Sequence, residues 1–274
     1  MKRIFFGFVL LGLVSCESDN TSNQLFDENP SDNNQNNEQP SLTIACVPES
    51  LQNNVIALYN FSQGSLLDGS TNNHTLIEID GAVATGVDRL GNANCAIEFD
   101  GTSHLKMTNI SDLQQATTYS ISVWFNPSVD FTGDVQFQRF IVLGESSQYW
   151  PNLPDVVRRS FSINQSDYMI LESSNGHSSI SEPFWEEDYQ AKLTGTWRHV
   201  VVNFNSTNNI YECYIDGVQM NSQNPISYNE LFNQLNTIIV GKSFYGTIDD
   251  MFIFDRILTS QEVSQMYNLK PCCN

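Results

Sequence analysis

Short apolar or alternating segments, separated by turn signals, recur along the chain and constrain its fold more than any other feature. Examples are YSISVWFNP at 119–127, TWRHVVVNFN at 196–205 and IYECYIDGVQM at 210–220. Links rich in Gly, Asn and Asp, such as 68–73 and 100–103, stand between such segments. Many short strands at fairly regular spacing are typical of an all-β sandwich or jelly roll. The stretch from Ile44 onward, about 230 residues, is long enough for one such domain.

One helix is predicted, directly after the last strand. Thr259 is placed to cap it, and Glu262, three residues on, completes a capping box. Leu258 and Val263 form a hydrophobic staple, and Val263 and Met266 share an apolar face. We therefore expect a sandwich of two antiparallel sheets with a short C-terminal helix.

The first fifteen residues have the composition of a secretory signal peptide. Lys2 and Arg3 precede an apolar run, 4–14, that is too short to span a bilayer. The sequence Leu-Val-Ser-Cys at 13–16 resembles a bacterial lipobox, in which Cys16 is lipidated and becomes the first mature residue. The alternative is an ordinary cleaved signal with a coincidental cysteine. Glu17, at the second mature position, is compatible with sorting to an outer membrane.

Residues 16–43 have almost no apolar side chains to bury. They are rich in Asn, Asp, Ser and Gln and contain no basic residue, so we expect a disordered and extended tether. The predicted organisation is a signal peptide at 1–15, a tether at 16–43 and one domain at 44–274. The predicted location is the bacterial outer membrane or cell surface, with the lipid as the only membrane contact.

The mature chain is strongly acidic. Without Lys2 and Arg3 it has 10 basic and 31 acidic residues, a net charge of −21. This charge disfavours nucleic acid and anionic lipid surfaces as partners.

Five cysteines follow Cys16, in a compartment that permits disulfides. Cys46 and either Cys272 or Cys273 bracket the domain, which suggests a bridge between its ends. Cys95 is a further candidate, whereas Cys213 lies within a predicted strand and is expected to be a buried free thiol. The sequence leaves the connectivity open.

Five motifs occur in an order that carries a family resemblance. They are ALYNFSQGSLLDGSTNNHT, DRLGNANCAIEFDGTSHLKM, YSISVWFNP, TWRHVVVNFNSTNNIYECYIDGVQM and IIVGKSFYGTIDDMFIFDRILTSQEVSQMY. Together they resemble the bacterial laminin G-like jelly roll of the concanavalin A-like lectin/glucanase superfamily, over most of 50–268. The fold hosts lectins, adhesins, accessory modules and hydrolases, so the resemblance implies a fold and no single activity.

The resemblance also implies a structural calcium site, because calcium takes six to eight oxygen ligands. The matching residues are Asp68, the Asn73-His74 turn, Asp249 and Asp250. Since side chains alternate along a strand, Asp249 and Asp250 are expected on opposite faces, with Asp250 and Asp68 as the side-chain ligands. The alternative is that these carboxylates accept backbone hydrogen bonds without a metal.

No catalytic site is predicted. The string Glu78-Ile79-Asp80 has two acids of the glucanase pattern E-x-D-x-x-E but lacks the third, and it falls in a predicted loop-and-turn region. His199 lies in an apolar segment and is predicted to be a packed structural residue.

A ligand site is predicted in the stretch that the family motifs leave unmatched, about 144–193. Sugars stack their apolar faces on exposed aromatic rings, and polar neighbours fix their hydroxyls. The candidates are Tyr149, Trp150 and Trp185, with Arg158 as a clamp for an acidic sugar. The alternative is that these aromatic side chains pack the long loops onto the sandwich.

The function predicted from sequence is therefore an envelope-anchored lipoprotein that binds carbohydrate or a surface protein. The alternatives are a glycoside hydrolase or polysaccharide lyase of the same superfamily, and a purely structural adhesion module.

Overall fold

A computed structural model describes residues 46–107, 109–111, 113, 116–128, 137–144, 159–164, 169–173, 176–179, 195–205, 207, 210–220 and 237–273. These residues belong to one compact unit, Leu42–Asn274. Their strands, in chain order, are β1 Val55–Tyr59, β2 Leu76–Ile79, β3 Ala84–Val87, β4 Ala93–Asp100, β5 His104–Met107, β6 Thr118–Pro127, β7 Phe137–Leu143, β8 Arg159–Asn164, β9 Met169–Ser173, β10 Gly176–Ser179, β11 Arg198–Asn205, β12 Ile210–Ile215, β13 Val218–Met220, β14 Ile238–Val240 and β15 Tyr245–Phe254.

The strands form two antiparallel sheets, which confirms the predicted sandwich. An eight-stranded sheet has the order β13-β12-β11-β6-β15-β4-β3, with β1 also paired to β15. A seven-stranded sheet has the order β10-β9-β8-β7-β14-β5-β2. Neighbours in the sheets are mostly distant in sequence, as in β6 between β11 and β15, so the fold depends on long-range pairing.

The edge strand β2 was not predicted. It falls in the stretch that the sequence assigned to loop and turn, and only Leu76 of its four residues is buried. An edge strand with one buried side chain gives little alternation to detect.

The main core lies between the sheets and contains apolar side chains from both, among them Phe125, Phe140 and Ile253. A second apolar cluster covers the other face of the eight-stranded sheet. Leu51 of the short helix α1, Glu49–Gln52, and Val263 and Met266 of helix α2, Ser260–Tyr267, belong to this cluster. β15 is therefore buried on both faces, as its apolar sequence on both sides predicts.

Helix α2 begins as the sequence predicted. The Thr259 side chain accepts a hydrogen bond from the backbone of Glu262, and the Glu262 side chain accepts one from the backbone of Thr259. Leu258 and Val263 are both fully buried in the second cluster, which fits the predicted staple. Within the described ranges no helix is long and apolar enough to cross a membrane.

Candidate functional site

One arginine and two aspartates form a buried charge cluster, here called the Arg89 cluster. Arg89 lies in the turn between β3 and β4, and Asp249 and Asp250 lie in β15. The Arg89 Nη1 atom is 2.6 Å from Asp249 Oδ2 and 2.8 Å from Asp250 Oδ2. The three side chains are 8%, 0% and 2% exposed. Two carboxylates thus share one guanidinium away from water.

The expectation that Asp249 and Asp250 point to opposite faces is wrong. The register of β15 against β6 shifts between Asp249 and Phe252, and Asp250 has a φ of 38°. Such a bulge breaks the alternation of side chains. It lets both carboxylates reach the same nitrogen of Arg89.

The C-terminal tail covers the Arg89 cluster. The Arg89 Nη2 donates to the carbonyl of Leu269 at 3.0 Å, and the Cys272 amide donates to the Asp250 carboxylate at 3.1 Å. The tail is itself held by two disulfides, Cys46–Cys272 and Cys95–Cys273. These bridges answer the connectivity that the sequence left open, and Cys213 is a buried free cysteine as expected.

Aromatic rings extend the cluster along the same face of the eight-stranded sheet. The Arg89 guanidinium lies 4.5 Å from the centroid of the Trp124 ring, and Tyr267 of α2 stacks on that ring at 5.6 Å. His199 packs 5.0 Å from Trp124, and its Nε2 is 2.8 Å from Ser122 Oγ. Burial lowers the pKa of His199 to about 3, so the imidazole is neutral. These contacts support the prediction that His199 is a packed structural residue.

Protonation of the acid pair is expected to make stability fall as pH rises. Burial raises the pKa of Asp249 and of Asp250, and the Asp250 carboxylate adds to the rise at Asp249. Between the ordinary carboxyl pKa and these raised values, the folded state binds more protons than the unfolded state. The free energy of unfolding therefore falls with increasing pH, by up to about 1.4 kcal/mol per pH unit for each proton.

This slope is best measured from about pH 7.5 upward, one unit above the ordinary histidine pKa, because His199 is then almost entirely neutral in both states. Below that pH the lowered pKa of His199 gives the opposite slope, since its stabilisation is lost as the unfolded chain takes up a proton. Urea unfolding of the wild type at pH 7.5, 8.0 and 8.5 should show a decline that Asp249→Asn reduces. Identical slopes for the two proteins would contradict this assignment.

Asp68 is the centre of a separate hydrogen-bond network. Its Oδ1 accepts from the amides of Leu58 at 2.9 Å and Ser70 at 2.8 Å. Its Oδ2 accepts from the Ser70 hydroxyl at 2.7 Å and the His74 amide at 2.9 Å. The Tyr59 hydroxyl in turn donates to the His74 carbonyl. Each carboxylate oxygen thus accepts two hydrogen bonds, which matches its capacity.

These contacts do not fit the calcium site that the resemblance implies. Asp68 has no remaining lone-pair position for a metal, and Arg89 already supplies a cation to Asp249 and Asp250. Asn73 is exposed with a φ of 61°. In the part of the chain that the structure describes, no three His, Cys, Asp or Glu side chains are grouped to hold a metal.

A polar cleft of about 490 Å³ lies where β15 ends and where β1 and β6 begin. Its lining includes Asn54, Val55, Asn72, Thr117, Thr118 and Asp255. No short motif predicts this cleft, because its lining residues come from four separate segments of the chain.

The predicted ligand residues Tyr149, Trp150, Arg158 and Trp185 all lie outside the described residues, so they stay a prediction. Glu78 and Asp80 of the partial glucanase pattern are exposed. The Glu78 carboxylate accepts a hydrogen bond from the Val83 amide at 2.9 Å.

Arg89 is the residue that sequence reasoning missed. It lies within the quoted motif DRLGNANCAIEFDG, yet no role was assigned to it. It is the only Lys or Arg between Arg3 and Lys106 in an acidic chain. An isolated arginine in the turn between two predicted strands could have indicated this role, since buried carboxylates need a cation or donors as partners.

The two-sheet architecture agrees with a match to one family. A laminin G-type family model, described as the Concanavalin A-like lectin/glucanases superfamily, matches residues 99–264. The chain belongs to this superfamily. A comparison with curated proteins gives no match.

Solved structures similar to this superfamily member include domain 4 of AbnA, a GH43 extracellular arabinanase from Geobacillus stearothermophilus, in complex with arabinotriose. The identity is 19% and the TM-score 0.60, with 78% of this chain and 98% of that domain covered. The receptor binding domain of botulinum neurotoxin C/D mosaic serotype matches at 18% identity and a TM-score of 0.60. The binding domain of botulinum neurotoxin DC in complex with rat synaptotagmin II matches at 17% identity and a TM-score of 0.57.

Both toxin matches cover 79% of this chain but only 51% and 52% of the toxin chains, so this chain spans about half of their length. At such identities the likeness concerns the fold alone.

Proposed function

We propose that this protein is a glycan-binding lipoprotein of the bacterial envelope. The observation that favours binding over hydrolysis is the covering of the Arg89 cluster. The two acids that the fold brings together, Asp249 and Asp250, are fixed to Arg89 beneath the C-terminal tail and cannot contact a polysaccharide. A catalytic acid pair must reach its substrate, so this pair acts in stability and gives no support to a hydrolase.

Two observations support a carbohydrate ligand: a similar solved domain and the charge of the chain. The arabinanase domain, almost all of which this fold covers, was solved with a bound arabinotriose. The acidic chain also disfavours densely charged polyanions, which favours a glycan that is neutral or carries only occasional acidic sugars. A surface protein is the second candidate partner, because one of the similar toxin domains was solved with a receptor protein.

The predicted aromatic platform is part of this proposal. Tyr149, Trp150 and Trp185 would stack on sugar rings, and Arg158 would pair with an acidic sugar. We expect Trp150→Ala and Trp185→Ala to weaken retention on a glycan.

The test is to incubate the full chain with linear arabinan, xylan, mannan, galactan, mixed-linkage β-glucan and acidic polygalacturonate, and to measure retention and new reducing ends together. Retention without new ends is expected. Release of reducing ends would instead support the glycoside hydrolase or lyase alternative. Absence of both would contradict glycan binding and favour a protein partner.

We also propose that Cys16 carries a lipid that anchors the protein through the tether at 16–43. Labelling with a fatty-acid analogue in a bacterial host tests this. The label should be present on the wild type and absent from Cys16→Ser, and equal labelling of the two would contradict the anchor.

Calcium is not carried into the proposed function, because Asp68 has no free lone-pair position and Arg89 already supplies a cation to Asp249 and Asp250. We therefore expect nearly the same thermal midpoint in calcium and in a chelator. An ion that binds only the folded state adds about 2.7 kcal/mol to the free energy of unfolding when its concentration is one hundred times its Kd. A thermal midpoint several degrees higher in calcium would therefore show a tightly bound structural ion.

A further inference from the structure

The polar cleft has walls that the fold holds in fixed positions. The Asp255 amide donates to the carbonyl of Asn54 at 3.1 Å, which joins the end of β15 to the residue before β1. The Thr118 hydroxyl donates to the carbonyl of Asp255 at 3.0 Å, which joins the start of β6 to the same point. The cleft is thus formed before any ligand arrives, which lowers the entropic cost of binding.

Several side chains in the cleft are left to bind a ligand. Asn72 directs its amide nitrogen to the carbonyl of Ile56 at 2.8 Å, which leaves its amide oxygen as an acceptor. Within the described part of the chain, the side chains of Asn54 and Asp255 make no hydrogen bond or ion pair, although both line the cleft. Asn54 has a φ of 64°, so its position on the turn is set by the backbone.

The chemistry of these groups selects one class of ligand. Carboxylate and amide oxygens accept hydrogen bonds, and the hydroxyls of a sugar donate them. The Asp255 carboxylate disfavours an anionic ligand such as a uronic acid. Val55 and Ala116 add half-buried apolar surface on which the C–H groups of a sugar ring can rest.

We infer that the polar cleft binds a neutral sugar residue of a polysaccharide, with Asp255, Asn54 and Asn72 as the groups that recognise its hydroxyls. This inference rests on the proposed glycan-binding function and gives it a location and a preference for neutral ligands. The cleft lies apart in sequence from the aromatic residues at 149–185, so variants can separate the two candidate sites.

The experiment compares the full-length wild type with Asn54→Gly and Asp255→Ala. Asn54→Gly removes the amide and keeps a residue suited to positive φ. Asn94→Gly is its control, since Asn94 is also exposed and has a φ of 61°; it differs in losing one exposed hydrogen bond, from the Thr85 hydroxyl at 2.8 Å. Glu98→Ala is the control for Asp255→Ala, because Glu98 is an exposed carboxylate on β4.

Each protein is run by affinity electrophoresis in linear arabinan, xylan, mannan, galactan, β-glucan and polygalacturonate, and its thermal midpoint is recorded. On a neutral polysaccharide that retards the wild type, each cleft variant should bind on the order of tenfold more weakly, the loss expected for a charged or well-placed hydrogen bond. The two controls should bind as the wild type does, and the midpoints of all should agree.

The other outcomes separate the inference from the function. If neutral polysaccharides retard both cleft variants as strongly as the wild type, while Trp150→Ala and Trp185→Ala abolish retardation, the cleft inference fails and the glycan-binding function stands. Retardation by polygalacturonate alone would also overturn the inference. If no polysaccharide retards the wild type, the proposed function itself fails.

Discussion

Replacing Arg89 with methionine is expected to lower the free energy of unfolding by about 3–5 kcal/mol. The methionine side chain fills much of the same space but leaves Asp249 and Asp250 buried without a cation. Removing the arginine has a large cost because the acid pair must then either keep a buried charge without a partner or take up a further proton. Urea unfolding at pH 7.5, followed by tryptophan fluorescence, measures the loss.

Two controls assign the loss to charge. Arg256→Met removes a more exposed arginine, paired with Glu262 at 2.8 Å, and should cost about 0–1 kcal/mol. Combining Arg89→Met with Asp249→Asn and Asp250→Asn removes the uncompensated charges and should recover much of the stability. If the triple variant is as unstable as Arg89→Met alone, the cost comes from lost packing against Trp124, and the electrostatic account is wrong.

The fold was predictable from local patterns. The last strand, β15, carries apolar side chains on both of its faces, which indicates a covered strand. The capping residues Thr259 and Glu262 mark the helix that follows it. Each of these signals lies within a few neighbouring residues. The order of five such motifs then identified the superfamily.

The buried cluster was not predictable in the same way. Arg89 and Asp249 are 160 positions apart in sequence, and only the pairing of β15 with β4 and β6 brings the turn and the strand together. The bulge at Asp250 depends on one residue with a positive φ, which leaves no mark in composition. The Asp pair was therefore recognised as unusual, but its partner was taken to be a metal.

At Asp68 the sequence predicted two alternatives and could not decide between them. A carboxylate in a loop rich in Asn and Ser can bind calcium or accept hydrogen bonds from backbone amides. The structure provides three amides and one hydroxyl around it. Such a set forms only when β1 and the loop that follows it are folded, so residue types alone could not choose between the two.

Removing the Cys46–Cys272 bridge, as Cys46→Ser with Cys272→Ser, is expected to lower the free energy of unfolding by about 2–5 kcal/mol. Because the Cys95–Cys273 bridge remains in this variant, the unfolded chain regains the conformational freedom of a loop of about 50 residues. Urea unfolding under oxidising conditions measures the change. A reductant breaks both bridges, so it should lower the midpoint of the wild type by more than the double variant does, and by the same amount in Cys213→Ala, because Cys213 forms no bridge.

The bridge also holds the tail over the Arg89 cluster, which predicts more than an entropic effect. The Cys272 amide and the Leu269 carbonyl each bind a member of the cluster. In a double-mutant cycle, the cysteine variants and Arg89→Met should therefore be non-additive by about 0.5–3 kcal/mol. Additive losses would show that the disulfide acts on the unfolded state alone. A clear coupling energy would show that the tail and Arg89 stabilise the same two carboxylates.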